Sequence, residues 1–149
     1  MIELFLDFKK EKTQESFDKL DFIKKRHVFA EERAIIMLQS SDREFPEMLP
    51  VLEQHRVIGE TMDRIRQNFI SKLRDYEGDL DKVIDLMKKH VIFENKIFYP
   101  RLDRELNEKE KQSMFVEFNN IYRDFENKQT KLEKIKNRTW KNRIFPWLK

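Results

Sequence analysis

Apolar residues recur along this chain at steps of three and four, the spacing that places side chains on one face of an α-helix. Four such stripes can be followed, and short polar stretches separate them. Their members are Phe17, Leu20, Ile23, His27, Ala30, Ala34 and Leu38; Leu49, Leu52, His55, Gly59, Met62, Ile65, Phe69 and Leu73; Leu80, Val83, Leu86 or Met87, His90, Phe93 and Ile97; and Met114, Phe118, Ile121, Phe125, Gln129, Leu132 and Ile135. The pattern predicts four amphipathic helices.

Capping and breaking residues set the expected limits of these helices. Thr13 is a suitable N-cap for the first helix, which we expect to end in the segment SSDREFP. The second should run from Pro46 to about Gly78, and the third from about Asp79 to a point between Pro100 and Asn107. The fourth should begin near Glu108, and the first dozen residues predict a short additional helix.

Composition supports an all-α fold. The chain has 149 residues, of which 39% are hydrophobic and 40% charged, so it can bury one core beneath a well-solvated surface. Only two glycines and four prolines are present, which favours a few long helices with short connections. We therefore predict an up-down four-helix bundle over residues 1–138, followed by a basic, aromatic C-terminal tail at 139–149.

The same sequence excludes several kinds of chemical site and indicates where the protein is located. The absence of cysteine excludes disulfides, thiolate metal sites and a cysteine nucleophile. The N-terminal stretch MIELFLDFKKEK carries acidic residues in its apolar run, which argues against a secretory signal, and no apolar run is long enough to span a bilayer. We expect a cytoplasmic protein.

The C-terminal stretch KLEKIKNRTWKNRIFPWLK is the most basic part of a chain whose formal net charge is only +3. It carries Trp140, Phe145 and Trp147. We favour the interpretation that these aromatic side chains pack on the end of the bundle while the lysines remain in water. The alternative is a surface for a protein partner or a membrane. No nucleic-acid partner is expected, and a homodimer is left open.

All three histidines lie on apolar stripes, one on each of three predicted helices. When His27 is aligned with His90, KRHVFAEERAI lies over KKHVIFENKIF, and a glutamate follows each histidine after four residues. That spacing puts the imidazole and the carboxylate on the same helix face. Glu31 and Glu94 would then lie on buried faces, where a carboxylate is costly unless a cation or hydrogen bonds compensate its charge.

These residues predict a metal site with five ligands, which are His27, Glu31, His55, His90 and Glu94. Mixed imidazole and carboxylate ligation inside a helical bundle points first to iron, with manganese or zinc as alternatives. Five side chains suit two ions, with the carboxylates able to bridge them, although a single ion using fewer of the five is also compatible with the pattern.

Neither the ExxH motif of ferritin-like proteins nor the HExxH motif of zinc proteases occurs in the chain. The HxxxE order, with a lone histidine on the helix between the two motifs, resembles that of the hemerythrin-like, or HHE, cation-binding domains. HVIFENKIFYPRLDREL resembles their last ligand helix, LPVLEQHRVIGETMDRIR the helix before it, and RHVFAEERAI their HHxxEE helix with Arg26 in place of the first histidine.

The resemblance implies a hemerythrin-like bundle with the same five ligands and a non-heme site for two iron ions. It implies binding of O2, NO or a related oxidant for sensing, storage or redox buffering, and a metal-dependent binding or sensor protein more than an enzyme. Two alternatives remain. One is an enzyme that processes peroxide or NO, and the other is a helical interaction module that has lost metal binding and acts through its tail.

The chain also departs from the family pattern. Residues 1–26 contain no histidine, although a helix ahead of the first HxxxE motif normally supplies one. Glu117 or Tyr122 of the fourth helix could fill that position, and Glu60 is a spare ligand. Gly59 lies one turn after His55, where a glycine either leaves room for a small ligand or allows close helix packing.

Overall fold

The computed structural model describes residues 1–39, 43–71 and 76–144, and within them it shows helices and no β-strand, which confirms the prediction of an all-α fold. The elements in chain order are α1 (Ile2–Glu11), α2 (Gln14–Gln39), α3 (Met48–Ser71), α4 (Glu77–Phe93), a π-helical segment (Glu94–Phe98), α5 (Tyr99–Glu105) and α6 (Glu108–Ile144). The additional N-terminal helix is present as α1.

Reciprocal side-chain caps fix where two of the long helices begin. Thr13 Oγ1 accepts a hydrogen bond from the Ser16 backbone N–H at 3.1 Å, as expected for the N-cap of α2. At the start of α6, Asn107 Oδ1 accepts from the Glu110 N–H at 3.0 Å, and Glu110 Oε2 accepts from the Asn107 N–H at 2.8 Å. This second pair is a capping box, which satisfies two backbone donors that the helix itself cannot.

The buried apolar side chains form two layers. Layer A contains Phe5, Phe8, Phe17, Leu20, Ile58, Met62, Ile65, Leu80, Val83, Ile84 and Met87. Layer B contains Ile35, Leu38, Phe45, Met48, Val51, Phe98, Leu102 and Leu106. Along the chain, α2 contributes first to layer A and then to layer B, and α3 contributes first to layer B and then to layer A. Helix α4 contributes to layer A, and the π-helical segment and α5 that follow it contribute to layer B. The His and Glu residues predicted as ligands fall between the two layers in all three helices.

The two outer helices pack differently. Helix α1 contacts both α2 and α4, and Phe5 and Phe8 are fully buried, so this short helix contributes more to the core than its length suggests. Helix α6 packs along α2. Phe125 contacts the rings of Phe22 and Phe29 at centroid distances of 5.9 and 5.6 Å.

Two details of the predicted stripes are wrong. Leu49 is 68% exposed, because the inward face of α3 begins instead with Met48 and Val51, which are buried. Helix α4 already begins at Glu77, so Gly78 lies in its first turn and does not end the preceding helix. Leu73, the segment 40–42 and the side chains of Leu132 and Ile135 lie outside the described residues, as do the side chains of the predicted tail at 139–149. The domain limits stay predictions.

The π-helical segment explains a third difference, the exposure of Ile97. The Tyr99 backbone N–H donates to the Glu94 carbonyl, five residues back, and Pro100 directly follows, where it has no N–H to continue an α-helical ladder. A π turn contains one extra residue, which delays the rotation of the following side chains by about 100°. Ile97 is consequently 45% exposed, while Phe98 is 2% exposed and takes the inward position in layer B.

Within the described residues, no helix combines the length and the apolar character that crossing a membrane requires.

Candidate metal centre

Helix α2 supplies the first pair of candidate ligands. Residues four apart on an α-helix share a face, and Nε2 of His27 lies 3.2 Å from Oε2 of Glu31. The two side chains differ in exposure, 26% for His27 and 3% for Glu31. His27 thus forms the wetter edge of the site, from which an ion could enter, and Glu31 forms its interior.

The Oε2 atom of Glu31 is the point on which the histidines of three helices converge. Nε2 of His55, from α3, lies 3.1 Å from it, and Nε2 of His90, from α4, lies 4.0 Å from it. The side chains of both histidines are only 1% exposed. Their rings contact each other edge to face, with centroids 4.9 Å apart.

Glu94 completes the cluster. Its Oε1 lies 2.8 Å from Nε2 of His90, one turn earlier on the same helix face. Ligand atoms of His27, Glu31, His90 and Glu94 all lie within 4.8 Å of one another, and three of these four residues are buried. A His/Glu group of this kind could bind a metal ion.

Two atoms of the cluster are buried without a hydrogen-bond partner among the described residues. They are Nε2 of His90 and Oε1 of Glu94, which lie 2.8 Å apart but lack the angles of a hydrogen bond with each other. A buried polar atom left unpaired costs about 1–3 kcal/mol, so such atoms are uncommon and call for an explanation. A shared cation would satisfy both at once, so the donor set fits a metal ion.

Residues around the cluster orient the imidazoles. Nδ1 of His90 lies 2.8 Å from Oε1 of Gln54, and Nδ1 of His55 lies 3.2 Å from Oε1 of Glu32. The amide oxygen of Gln54 is an acceptor, so it favours a proton on Nδ1 of His90 and leaves the Nε2 lone pair of that ring directed into the cluster. His55 has a carboxylate oxygen beside each ring nitrogen, so it can donate to Glu31 or to Glu32. Partners in this position fix the tautomer and orientation of metal-binding histidines.

Tyr99 supports the cluster from the other side. Its hydroxyl donates a hydrogen bond to Oε1 of Glu31, the oxygen that does not face the histidines. Counted from His90 along a regular α-helix, Tyr99 would point about 180° away, and the π-helical segment reduces that angle to about 80°. The contact therefore depends on the π turn.

The pKa values of the cluster residues follow from burial and from these contacts. Burial raises the pKa of Glu31, but hydrogen bonds from His55 and Tyr99 and the charge of His27 more than offset it, and the pKa falls to about 2. Burial lowers the pKa of His27 and raises that of Glu94, each against a smaller opposing effect of its helix partner. Glu31 is therefore ionised and His27 neutral at pH 7, the forms that ligate metals.

The structure brings together the five residues predicted from the sequence. His55 contacts the cluster through Glu31 and is not one of the four residues whose ligand atoms all lie within 4.8 Å of one another. Their assignment as ligands stays a prediction. Gln54, Glu32 and Tyr99 were not predicted, because their contacts cross between helices or depend on the π turn. The one local signal was the Tyr-Pro pair at the end of the third stripe.

The other residues considered from the sequence have different partners. Glu60 binds Arg56 at 2.6 Å, and Glu117 binds Arg33 at 3.0 Å, both through exposed or half-buried ion pairs. The ring of Tyr122 lies under the guanidinium of Arg26 at 4.4 Å. A Cβ built on Gly59 would have no atom within 4 Å, so close helix packing does not require a glycine there.

Comparison of the chain with protein-family models, with curated proteins and with solved structures gave no match. The candidate metal centre therefore rests on the geometry and chemistry of its own residues.

Proposed function

We propose that this chain is a hemerythrin-like protein that holds non-heme iron at His27, Glu31, His55, His90 and Glu94. The iron would serve to bind O2, NO or a related oxidant for sensing, storage or redox buffering. The observation that carries the proposal is the buried pair formed by Nε2 of His90 and Oε1 of Glu94, which lie 2.8 Å apart without the angles of a hydrogen bond and have no other hydrogen-bond partner among the described residues.

The composition of the site supports iron over harder or softer ions. Two carboxylates and three imidazoles combine hard oxygen and borderline nitrogen donors, and the chain has no thiolate to offer. Bound iron would supply a coordination position at which a diatomic molecule or peroxide can bind. The part played by the chain is to supply ionised carboxylates and neutral imidazoles and to keep bulk water away from them.

The order of the apolar layers supports the up-down bundle that the proposal includes. Helices α2, α3 and α4 pass through the two layers in alternating order, as neighbouring helices of such a bundle do. Helix α6 packs along α2 and would be the fourth member.

Two iron ions are proposed, because five side chains supply more donor atoms than one ion needs when some positions remain open to small ligands. Glu31 is the residue best placed to be shared, since Nε2 atoms of three histidines lie within 4.0 Å of its Oε2.

The test is anaerobic reconstitution of the full chain with Fe(II), followed by elemental analysis and absorption spectroscopy before and after exposure to O2 or NO. We expect about two iron ions per chain and ligand-dependent charge-transfer bands. A ratio of about one would overturn the two-ion assignment. A colourless protein with little iron would overturn the iron proposal as a whole and favour the helical interaction module.

Matched carboxylate-to-amide variants locate the iron. Glu31→Gln and Glu94→Gln should each lose most of the metal, whereas Glu60→Gln and Glu117→Gln should retain it, because the latter two carboxylates bind surface arginines. His90→Ala should lose iron while keeping its helical circular dichroism. Equal iron content in all four amide variants would place the metal elsewhere.

A further inference from the structure

A cavity of about 270 Å³ lies between α2, α5 and α6, directly beside the His–Glu cluster. Its wall is almost entirely apolar, with Ala34, Phe98, Leu102, Met114 and Phe118 among the lining residues. Two polar residues of the cluster, Glu31 and Tyr99, also line it. Glu31 is buried and Asp103 is 80% exposed, so the cavity runs from the cluster to the surface.

The cavity is larger than the ligands of the proposed iron site require. A diatomic molecule is close in size to water, whose share of liquid volume is about 30 Å³. On that scale the cavity has room for about nine non-hydrogen atoms. It is therefore the size of a small organic molecule, near the lower limit of ordinary ligand pockets.

The polar groups at the two ends restrict the chemistry of such a molecule. At the surface end, Asp103 and Lys111 bind each other at 2.9 Å, so neither charge is directed inward. At the inner end, the Tyr99 hydroxyl donates to Glu31 and keeps its oxygen lone pairs available to accept. A neutral hydroxyl can donate to that oxygen, whereas a carboxylate would place a further anion beside the buried carboxylates of Glu31 and Glu94.

We propose that this cavity binds a small neutral organic molecule with a compact apolar body and one hydroxyl group, such as a phenol, with the hydroxyl directed toward Tyr99. This ligand site goes beyond the proposed iron function and does not depend on it. The walls that would bind the apolar body come from α2, the π-helical segment, α5 and α6, and they need no metal to form.

The test is calorimetric titration of the full, metal-free chain with 4-propylphenol, which has about the size that the cavity admits. Propylbenzene and 4-propylbenzoate serve as matched probes without the hydroxyl and with a negative charge. We expect saturable binding of one 4-propylphenol per chain, at least tenfold tighter than that of 4-propylbenzoate and severalfold tighter than that of propylbenzene. Non-saturable binding, or equal binding of all three, would overturn the proposal.

Two further measurements locate the bound probe. Ala34→Leu narrows the cavity and should weaken binding at least tenfold, while Val116→Leu, at an exposed position of α6 outside the lining, should leave it unchanged. If Ala34→Leu fails to fold, nuclear Overhauser contacts in the wild-type chain decide. Contacts from 4-propylphenol to the methyl groups of Met114 and Leu102 support the site, and contacts only to methyl groups elsewhere overturn it.

The metal-free titration also separates this proposal from the iron function. A chain that binds 4-propylphenol but no iron would retain the cavity site and lose the iron site. A chain that binds iron but not 4-propylphenol would support the iron site and overturn the cavity site.

Discussion

The hydroxyl of Tyr99 donates a hydrogen bond to one carboxylate oxygen of Glu31, while the other oxygen faces the imidazoles of three helices. Glu31 is thereby held from both sides, by α5 on one and by α2, α3 and α4 on the other. Because the same carboxylate lines the apolar cavity, Tyr99 stands at the boundary between the candidate metal centre and the cavity.

Replacing Tyr99 by phenylalanine should weaken iron binding about tenfold or more, since removal of a partner that orients a metal ligand typically has an effect of that size. The measurement is competition against a chelator of known iron affinity. Tyr76→Phe is the matched control, because the ring of Tyr76 packs against Phe8 of layer A and against Phe69. Equal losses in both variants would indicate a general effect on folding.

Because of the π-helical segment, Phe98 should contribute more to stability than Ile97, the residue that the sequence pattern placed in the core. Phe98→Ala should lower the free energy of unfolding by about 3 kcal/mol or more, because it removes a buried ring from layer B. Ile97→Ala should lower it by less than about 1 kcal/mol, since Ile97 is 45% exposed. Urea denaturation of both variants provides the measurement. A larger loss for Ile97→Ala would contradict the π turn and restore the uninterrupted helix that the sequence pattern predicted.

Features that depend on neighbours along the chain could be predicted from the sequence. Helical spacing alone paired His27 with Glu31 and His90 with Glu94, because four residues make about one turn whatever the surroundings. Capping chemistry gave the start of α2 at Thr13 for the same reason.

Features that depend on packing between helices could not be predicted in this way. The partnership of Gln54 with His90 joins α3 to α4 and is set by how those helices pack. The approach of Tyr99 to Glu31 requires one extra residue in a single turn, which periodicity does not reveal. The inward face of α3 began one residue away from the expected Leu49, because several apolar residues occur together there and only tertiary contacts choose among them.

The two buried carboxylates should affect the stability of the metal-free chain in opposite directions. The pKa of Glu31 is lowered to about 2, so its stabilising contribution is present above pH 4.5 and is lost as the pH falls toward 2. Burial raises the pKa of Glu94, so the folded chain binds this proton more tightly than the unfolded chain does, and stability falls as the pH rises above 4.5.

At pH 7 we therefore expect Glu31→Gln to lower the free energy of unfolding by about 2 kcal/mol and Glu94→Gln to raise it. Chemical denaturation in the presence of a chelator, repeated at several pH values, provides the measurement. Changes of the same sign in the two variants would contradict the assigned environments.

Lys24 offers a further test of how burial shapes this core. It is 7% exposed on the inner side of α2, and burial lowers its pKa from the ordinary value of 10.5, with Asp21 only partly opposing the shift. Asp21 is itself engaged by Arg66 and Lys25. A protonated Lys24 is therefore poorly compensated.

Lys24→Met should raise the free energy of unfolding at pH 7 by about 1 kcal/mol or more, because an unbranched apolar side chain replaces a buried charge. The unfolded chain binds the Lys24 proton more tightly than the folded chain, so wild-type stability rises with pH up to 10.5 and the advantage of the variant should shrink over that interval. Lys19→Met, at an exposed position of the same helix, should change stability by less than about 0.5 kcal/mol. A loss of stability in Lys24→Met would mean that the ammonium group is stabilised in the core after all.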